Sequence, residues 1–352
     1  MPPDDFITAL PKLELHVHIE GTLSPSLRWK LAHKNNIPLP YDSLASLTAS
    51  YKVMYNHRKK LNGDNGNPTF LEAYYGGMEV LRTADDFYDL AMEYFTKART
   101  MNVRYAEPFF DIQAHTRRGV PVEAVMAGLQ RAKEDAARDL NVHSNWTLCF
   151  LRDMSLDSAL EAYESCLPYR HVFHAIGLDS DEYDRPPSIF EPLFLRARAD
   201  GFRITSHCDV DQKDAHEHIR QVAGCVAGTG ADRIDHGLNA AERPELIALI
   251  KEKGLGMTLC PHAYHRRQPA ENVFPKVRRL FDEGIPVTIN SDDPTYMHEM
   301  WVSENLELVM RMCPFSEGEM VRLQRNAVGI CWADEGVKEG ILMELDEVVC
   351  SG

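Results

Sequence analysis

The sequence lacks any long hydrophobic run, because its longest apolar stretches are strand-sized and fall well short of the ~20 residues that a helix needs to cross a bilayer. Positive charge is also scarce: 38 Lys and Arg face 53 Asp and Glu, and the formal net charge is −15. Such a chain has little basic surface for tracking phosphates or for holding an anionic membrane. We therefore expect neither a nucleic-acid binder nor a membrane protein.

Cysteine is neither dense nor paired. The eight cysteines are scattered, and no Cys-x-x-Cys pair occurs. The first ten residues also lack a basic segment followed by an apolar one, so no secretory signal is expected there. Free thiols in a reducing compartment are the simplest interpretation, and we expect a cytoplasmic protein, with the nucleus left open.

Short runs rich in Val, Ile and Leu alternate along the chain with longer segments of helical periodicity. Eight runs are predicted as strands, at 12–16, 104–109, 146–151, 172–176, 203–207, 233–235, 255–259 and 286–289. Eight parallel strands that alternate with helices close a (β/α)8 barrel, the TIM barrel, which takes ~250 residues. We therefore predict an α/β fold of one domain over residues 1–352, with a helical insertion after the first strand at about 37–83.

Polar or ionisable side chains stand at the end of nearly every predicted strand. Active sites of this barrel are assembled at that face, from the ends of several strands. The residues concerned are His16, His18, Asp111, Asp153, Asp179, His207, His236, Cys260, His262, Asp292 and Asp293. This placement predicts chemistry at the carboxyl ends of the strands.

His16 and His18 lie on the same side of a strand, because side chains alternate with period two. They are either two metal ligands or two hydrogen-bonded core histidines. With His207 and Asp292 they make three imidazoles and a carboxylate, a set that suits zinc with one position open for water. His236 is better placed to orient that water or to accept its proton.

Adjacent carboxylates follow the last predicted strand, at Asp292 and Asp293. They point in different directions, so one can contact a metal while the other faces a substrate. The alternative is a helix N-cap before Pro294, and both interpretations hold if Asp292 is the ligand and Asp293 the cap.

These motifs resemble those of the adenosine/adenine deaminase family, within the amidohydrolase superfamily. The resemblance begins with LELHVHIEGTL at 13–23 and continues through YAEPFFDIQAHT at 105–116, GLDS at 177–180, RIDHG at 233–237 and NSDDP at 290–294. It covers nearly the whole chain in order. Glu20 in place of an aspartate, and the run from Phe109 to Thr116, resemble the adenine-type branch.

The resemblance implies a zinc ion, or another divalent metal, bound to His16, His18, His207 and Asp292. It also implies that His236 orients a water molecule and helps to remove its proton. The implied reaction is hydrolytic deamination of adenine, or of a related 6-substituted aminopurine, to the 6-oxopurine with release of ammonia or an amine.

The resemblance further implies that three residues contact the substrate. Asp293 is expected near N7 of the purine, the backbone N–H of Gly177 near N3, and Glu20 at the same face of the barrel. The expected partner is therefore a small purine or a related heterocycle. The sequence does not decide whether the chain forms a homo-oligomer.

One departure from the family pattern falls at a catalytic position. The family's usual motif is His-Ala-Gly-Glu, whose glutamate gives a proton to N1, whereas this chain has Val210 at the glutamate position. A lost general acid costs ~10²–10⁴ in rate. Either Asp209 or Asp211 replaces the glutamate, or the substrate is a different heterocycle that needs no proton at N1, or the barrel binds purines without catalysis. Among these residues we name Asp209 as the catalytic candidate.

A second departure is CPHAYHRR at 260–267, where the family usually carries Cys-Pro-x-Ser-Asn. It indicates either a pocket shaped for a substrate other than plain adenine or loop variation without consequence. In the inserted segment, Met54, Tyr55, Tyr74 and Tyr75 either cover the site as a lid or pack the helices of the insertion.

Overall fold

The computed structural model describes residues 3–52, 68–210 and 213–351. In these residues it has ten strands: β1 Lys12–Glu14, β2 Val103–Ala106, β3 Phe109–Asp111, β4 His143–Ser144, β5 Trp146–Leu151, β6 Phe173–Asp179, β7 Arg203–His207, β8 Arg233–Asp235, β9 Gly256–Leu259 and β10 Val287–Ile289. All their pairings are parallel.

Sixteen α-helices lie in the same residues: α1 Pro3–Ala9, α2 Pro25–Lys34, α3 Leu44–Ser50, α4 Phe70–Met78, α5 Ala84–Thr100, α6 Ile112–Thr116, α7 Val122–Asp135, α8 Leu156–Cys166, α9 Glu191–Ala199, α10 Ala215–Gly224, α11 Pro244–Lys253, α12 Pro261–His265, α13 Ala270–Asp282, α14 Val302–Met312, α15 Glu317–Ile330 and α16 Glu335–Ser351. Among them no helix is both long and apolar enough to cross a membrane.

The strands form a TIM barrel, which confirms the predicted fold class. Seven of them run in the order β10-β9-β8-β7-β6-β5-β3, and the other three run β1-β2-β4. Two isolated parallel bridges, Val17 with Asp292 and His18 with Phe109, join the segment after β1 to the segment after β10 on one side and to β3 on the other. The residues that close the barrel are therefore those that carry the histidine motif.

The single strand predicted at 104–109 is wrong, because the structure has β2 and β3 there with a break at Pro108. Proline has no N–H to give to the ladder, so regular pairing stops at that residue. Two other predicted boundaries move by two residues or more. The strand predicted at 172–176 continues to Asp179, and β1 ends at Glu14 rather than at His16.

Amphipathic helices surround the barrel, and α5 shows why they form. Its buried apolar residues recur at helical spacing, at Phe87, Leu90, Ala91, Tyr94, Phe95 and Ala98. Asp86 accepts hydrogen bonds from the backbone N–H groups of Arg82 and Thr83 at 2.9 and 2.8 Å, which satisfies donors at the start of the helix. The helix thus begins at a polar anchor and buries one face.

The segment between α2 and α5 carries α3 and α4. A capping box begins α4, because Thr69 and Glu72 exchange side-chain to backbone hydrogen bonds. Met54 and Tyr55, two of the four residues considered either as a lid or as packing of the insertion, lie outside the described residues. Tyr74 and Tyr75 lie on α4, which places them at the mouth of the barrel.

Candidate active site

The four side chains predicted as metal ligands converge at the carboxyl ends of the strands. One ring nitrogen each of His16, His18 and His207 lie within 4.8 Å of one another. Oδ1 of Asp292 lies 3.5 Å from Nε2 of His16 and 3.5 Å from Nε2 of His18. All four residues are buried.

Hydrogen bonds orient His16 for this cluster. Thr258 donates its hydroxyl proton to Asp235 at 2.8 Å, so its oxygen accepts from Nδ1–H of His16 at 2.9 Å. The lone pair of the His16 ring therefore lies on Nε2, which has no hydrogen-bond partner among the described residues. A ring nitrogen fixed in this way by its neighbours is typical of a metal ligand.

Burial sets the protonation of the other imidazoles. Burial and neighbouring histidines hold the pKa values of His207 and His236 well below the ordinary range, and burial lowers the pKa of His18. These rings are neutral at pH 7, which is the form that binds a metal. Nε2 of His207 is also buried without a hydrogen-bond partner among the described residues. The residues therefore fit a divalent ion.

His236 and Asp292 follow their strands in a strained backbone conformation. Their φ angles are +63° and +69°, in the left-handed region that side-chain-bearing residues rarely adopt. Such strain is concentrated at functional sites. It turns the His236 ring toward the cluster, with its centroid 4.5 Å from that of His16 and 4.6 Å from that of His207.

Asp209 supports that strained loop. Its carboxylate accepts hydrogen bonds from the backbone N–H groups of Gly237 at 2.9 Å and Asn239 at 2.8 Å, and from the hydroxyl of Tyr264. Asp209 is not among the residues that line the pocket, whereas Val210 is. Tyr264 in the altered 260–267 segment thus bonds Asp209, and Asp211 lies outside the described residues.

Three of the four metal candidates, His18, His207 and Asp292, line a pocket with about 540 Å³ of empty space, open mouth included. Helix α4 covers one side of it with Phe70, Leu71, Tyr74 and Tyr75. Tyr74 donates to Asp111 at 2.9 Å, and the hydroxyls of Tyr75 and Ser180 are 2.5 Å apart. Tyr74 and Tyr75 therefore cover one side of the pocket, the position that the lid interpretation predicts.

The three predicted substrate contacts lie in different places. Asp293 lines the pocket, and burial together with the Asp292 charge raises its pKa well above the ordinary range. Gly177 lies within β6, where an added Cβ would be 2.6 Å from Sγ of Cys149. Neither Gly177 nor Glu20 is among the residues that line the pocket.

Glu20 instead joins a buried chain of hydrogen bonds. Its Oε1 accepts from the backbone N–H of Asp111 at 3.0 Å and from Nε2 of His115 at 2.8 Å. Arg118 donates to Nδ1 of His115 at 2.7 Å, which places the His115 proton on Nε2. Burial raises the pKa of Glu20 to about 7 and lowers that of His115 to about 3. Glu20 thus fixes the position of Asp111 beside the pocket.

Sequence reasoning missed several lining residues, among them the buried acid Glu182. It lines the pocket together with Ser180, Arg267 and Met297. A signal was present, because Glu182 follows Asp179 by three residues at the end of a strand. Arg267 belongs to the altered segment that begins at Cys260, so that departure does reach the pocket.

A family model described as Adenosine deaminase matches residues 11–348 of this chain. The chain belongs to the adenosine deaminase family. It is 42% identical to an uncharacterized deaminase of Schizosaccharomyces pombe over 97% of this chain and 96% of the relative. It is 38% identical to an adenine deaminase of Stutzerimonas stutzeri over 92% and 98% of the two chains.

Solved structures of related enzymes superpose on this chain over nearly their whole length. An adenine deaminase of Arthrobacter aurescens superposes with a TM-score of 0.87 at 33% identity, covering 97% of this chain and 99% of that one. A zinc-bound amidohydrolase of Burkholderia ambifaria superposes with a TM-score of 0.85 at 27% identity, covering 100% and 95%. The protein is a hydrolase of this metal-dependent family.

Proposed function

We propose that the protein is a metal-dependent aminohydrolase that converts adenine, or a related 6-substituted aminopurine, and water into the 6-oxopurine and ammonia or an amine. The observation that carries the proposal is the convergence of His16, His18, His207 and Asp292 at the mouth of a barrel of the adenosine deaminase family. The relatives that are named adenine deaminases support adenine as the substrate.

The same four residues would hold the metal ion. Three imidazoles and one carboxylate favour zinc among the common divalent ions, and the zinc-bound structural neighbour supports that choice. When bound, the ion lowers the pKa of a water molecule and makes it nucleophilic near neutral pH.

We assign His236 as the base that accepts a proton from the attacking water and later gives it to the leaving amine. Its ring is buried and neutral, it lines the pocket, and it adjoins the cluster. Asp209 acts through it as a positioning residue, because its carboxylate fixes the backbone N–H groups of Gly237 and Asn239 that follow the histidine.

Asp293 is proposed to hydrogen-bond the purine at N7, since it is the carboxyl group of the pocket next to the candidate ligand Asp292. Phe70 and Tyr74 offer aromatic faces for the ring on the lid side. Glu20 is a positioning residue for Asp111 in this scheme, and the contact of the Gly177 N–H with N3 stays a prediction of the family resemblance.

A steady-state assay of the zinc-loaded protein tests the function. Adenine, adenosine and N6-methyladenine are supplied in parallel, and the 6-oxopurine is followed by ultraviolet absorbance. We expect kcat/KM above the ~10⁴ M⁻¹s⁻¹ floor of ordinary enzymes for adenine or for the N6-substituted base. Negligible turnover of all three by protein that contains bound zinc would refute the proposal.

A further inference from the structure

The carboxyl group of Glu182 lies beside the position where the family's proton donor is missing. Glu182 is 1% exposed and lines the same pocket as Val210. Its Oε1 accepts a hydrogen bond from the backbone N–H of Val210 at 3.3 Å. A carboxyl group from the end of β6 therefore reaches the residue that follows β7, where the family carries its glutamate.

Purine geometry directs N1 toward this wall of the pocket. The reacting carbon C6 has N1 on one side and C5, which carries N7, on the other. Asp293, assigned to N7, follows β10, whereas Val210 follows β7 and Glu182 follows β6. Because β10 and β6 lie four places apart in the barrel, a ring with N7 toward Asp293 turns N1 toward Val210 and Glu182.

Arg152 prepares this site for a negative charge. Its guanidinium is fully buried, donates to the carbonyl of His207 at 2.9 Å and lies 3.3 Å from Oε2 of Glu182. Two further bonds join it to the carbonyl of Arg185 at 3.1 and 2.7 Å, so its position is fixed. A carboxylate formed at Glu182 would be stabilised without movement of the protein.

The other acids of this region contact a neighbouring loop or the proposed metal ligands. Asp209 accepts three hydrogen bonds from the 237–239 loop and from Tyr264. Asp179 lies 3.4 Å from Nδ1 of His18, beside a proposed metal ligand. Val210 has no proton to give. Among the described residues, Glu182 is thus the pocket-lining carboxyl group at the N1 side that does not belong to the metal cluster.

We propose that Glu182 is the catalytic acid that protonates N1, an inference that rests on the proposed function. As the water oxygen bonds to C6, the electron pair of the C6–N1 double bond moves to N1, which takes the proton of Glu182, and His236 takes a proton from the water. The bond between C6 and the exocyclic nitrogen then breaks as His236 protonates the leaving amine, and a lone pair of the C6 oxygen forms the C6–O double bond. The proton of the C6 hydroxyl returns to the Glu182 carboxylate, which leaves the 6-oxopurine and both residues in their starting states.

The test begins with Glu182→Gln, which keeps the size of the side chain and an acceptor for the Val210 N–H but removes the acid. We expect kcat to fall ~10²–10⁴-fold on adenine, the range for loss of a general acid. Asp181→Asn is the matched control, because this neighbouring acid is partly exposed and does not line the pocket. It should retain wild-type turnover.

Two measurements separate an acid from a merely structural residue. Val210→Glu in the Glu182→Gln background restores the family's own donor and should raise kcat at least tenfold over the single variant. Binding is measured in parallel with purine and with a 6-hydroxy-1,6-dihydropurine analogue, whose N1–H needs an acceptor. Glu182→Gln should weaken only the analogue, whereas structural damage would weaken both ligands alike.

The outcomes separate the two proposals. If the wild type does not deaminate aminopurines, the proposed function fails, and the assignment of Glu182 fails with it. If the wild type turns over and Glu182→Gln retains its rate, only the Glu182 assignment is overturned. The same holds if the variant loses affinity for both ligands and Val210→Glu restores nothing.

Discussion

Gly21 is the residue that allows Asp293 to reach its position, and Gly21→Ala tests the role of that carboxyl group. A Cβ at residue 21 would lie 2.1 Å from Oδ1 and 2.8 Å from Cα of Asp293, whereas ordinary contacts begin near 3.4 Å. The second of these atoms belongs to the backbone, so rotation of the side chain cannot relieve the contact. Asp293 must therefore retreat by a distance on the order of 1 Å.

A displacement of that size at a group that orients a substrate costs ~10²-fold in rate. We expect kcat/KM for adenine to fall by about that factor, and the contact itself to lower the free energy of unfolding by about 1–3 kcal/mol. The assay combines adenine turnover, zinc content and urea unfolding. Gly318→Ala is the control, because a Cβ there has no atom within 4 Å and a helical alanine should be neutral or stabilise by about 0.5–1 kcal/mol.

One result would refute this reasoning. If Gly21→Ala folds with full zinc content and wild-type kcat/KM, either Asp293 moves without consequence or it does not contact the substrate. The assignment of Asp293 to N7 would then be wrong, and the argument that directs N1 toward Glu182 would lose its starting point.

Two further predictions concern the lid and the start of α5. Tyr75→Phe removes the contact with Ser180, so the lid opens more readily. The KM for adenine should rise about 2–13-fold, the equivalent of one hydrogen bond of about 0.5–1.5 kcal/mol. An unchanged KM would contradict a closing role for Tyr75. Asp86→Ala leaves donors at Arg82, Thr83 and Lys34 without their acceptor and should lower the free energy of unfolding by about 2–3 kcal/mol at pH 7. Burial raises the pKa of Asp86, but these hydrogen bonds outweigh burial and lower it. The difference in the free energy of unfolding between wild type and variant should therefore persist above pH ~4 and shrink as the pH falls through the folded pKa. A difference that does not depend on pH in urea unfolding would contradict this.

The histidine and aspartate cluster was predictable because its pattern is local. His16 and His18 alternate with apolar residues after one strand, and His207, His236 and Asp292 each follow another. The rule that parallel strands gather their carboxyl ends at one face then brings them together without knowledge of any long-range contact. The break between β2 and β3 also had a local signal at Pro108, which lacks the N–H that a continuous ladder needs.

The positions of the acids were not predictable in this way. Asp209 is one residue from Val210, yet it turns away from the pocket because the left-handed loop at His236 and the hydroxyl of Tyr264 provide its donors. Gly237 and Tyr264 lie 28 and 55 residues after Asp209, and no spacing rule links them to it. Glu182 likewise acquires its place from the adjacency of β6 and β7, which only the folded barrel defines.

The central claim is that a divalent metal at the histidine and aspartate cluster supports deamination of an aminopurine. It is tested most directly by adding zinc stepwise to protein stripped by a chelator, with adenine turnover and ammonia release measured at each step, beside Asp292→Ala as the variant that lacks a proposed ligand. We predict that activity rises to a break at one zinc per chain, with ammonia equal to the 6-oxopurine formed, and that Asp292→Ala gives neither tight binding nor turnover. Turnover by metal-free protein, or full activity of Asp292→Ala, would contradict the claim.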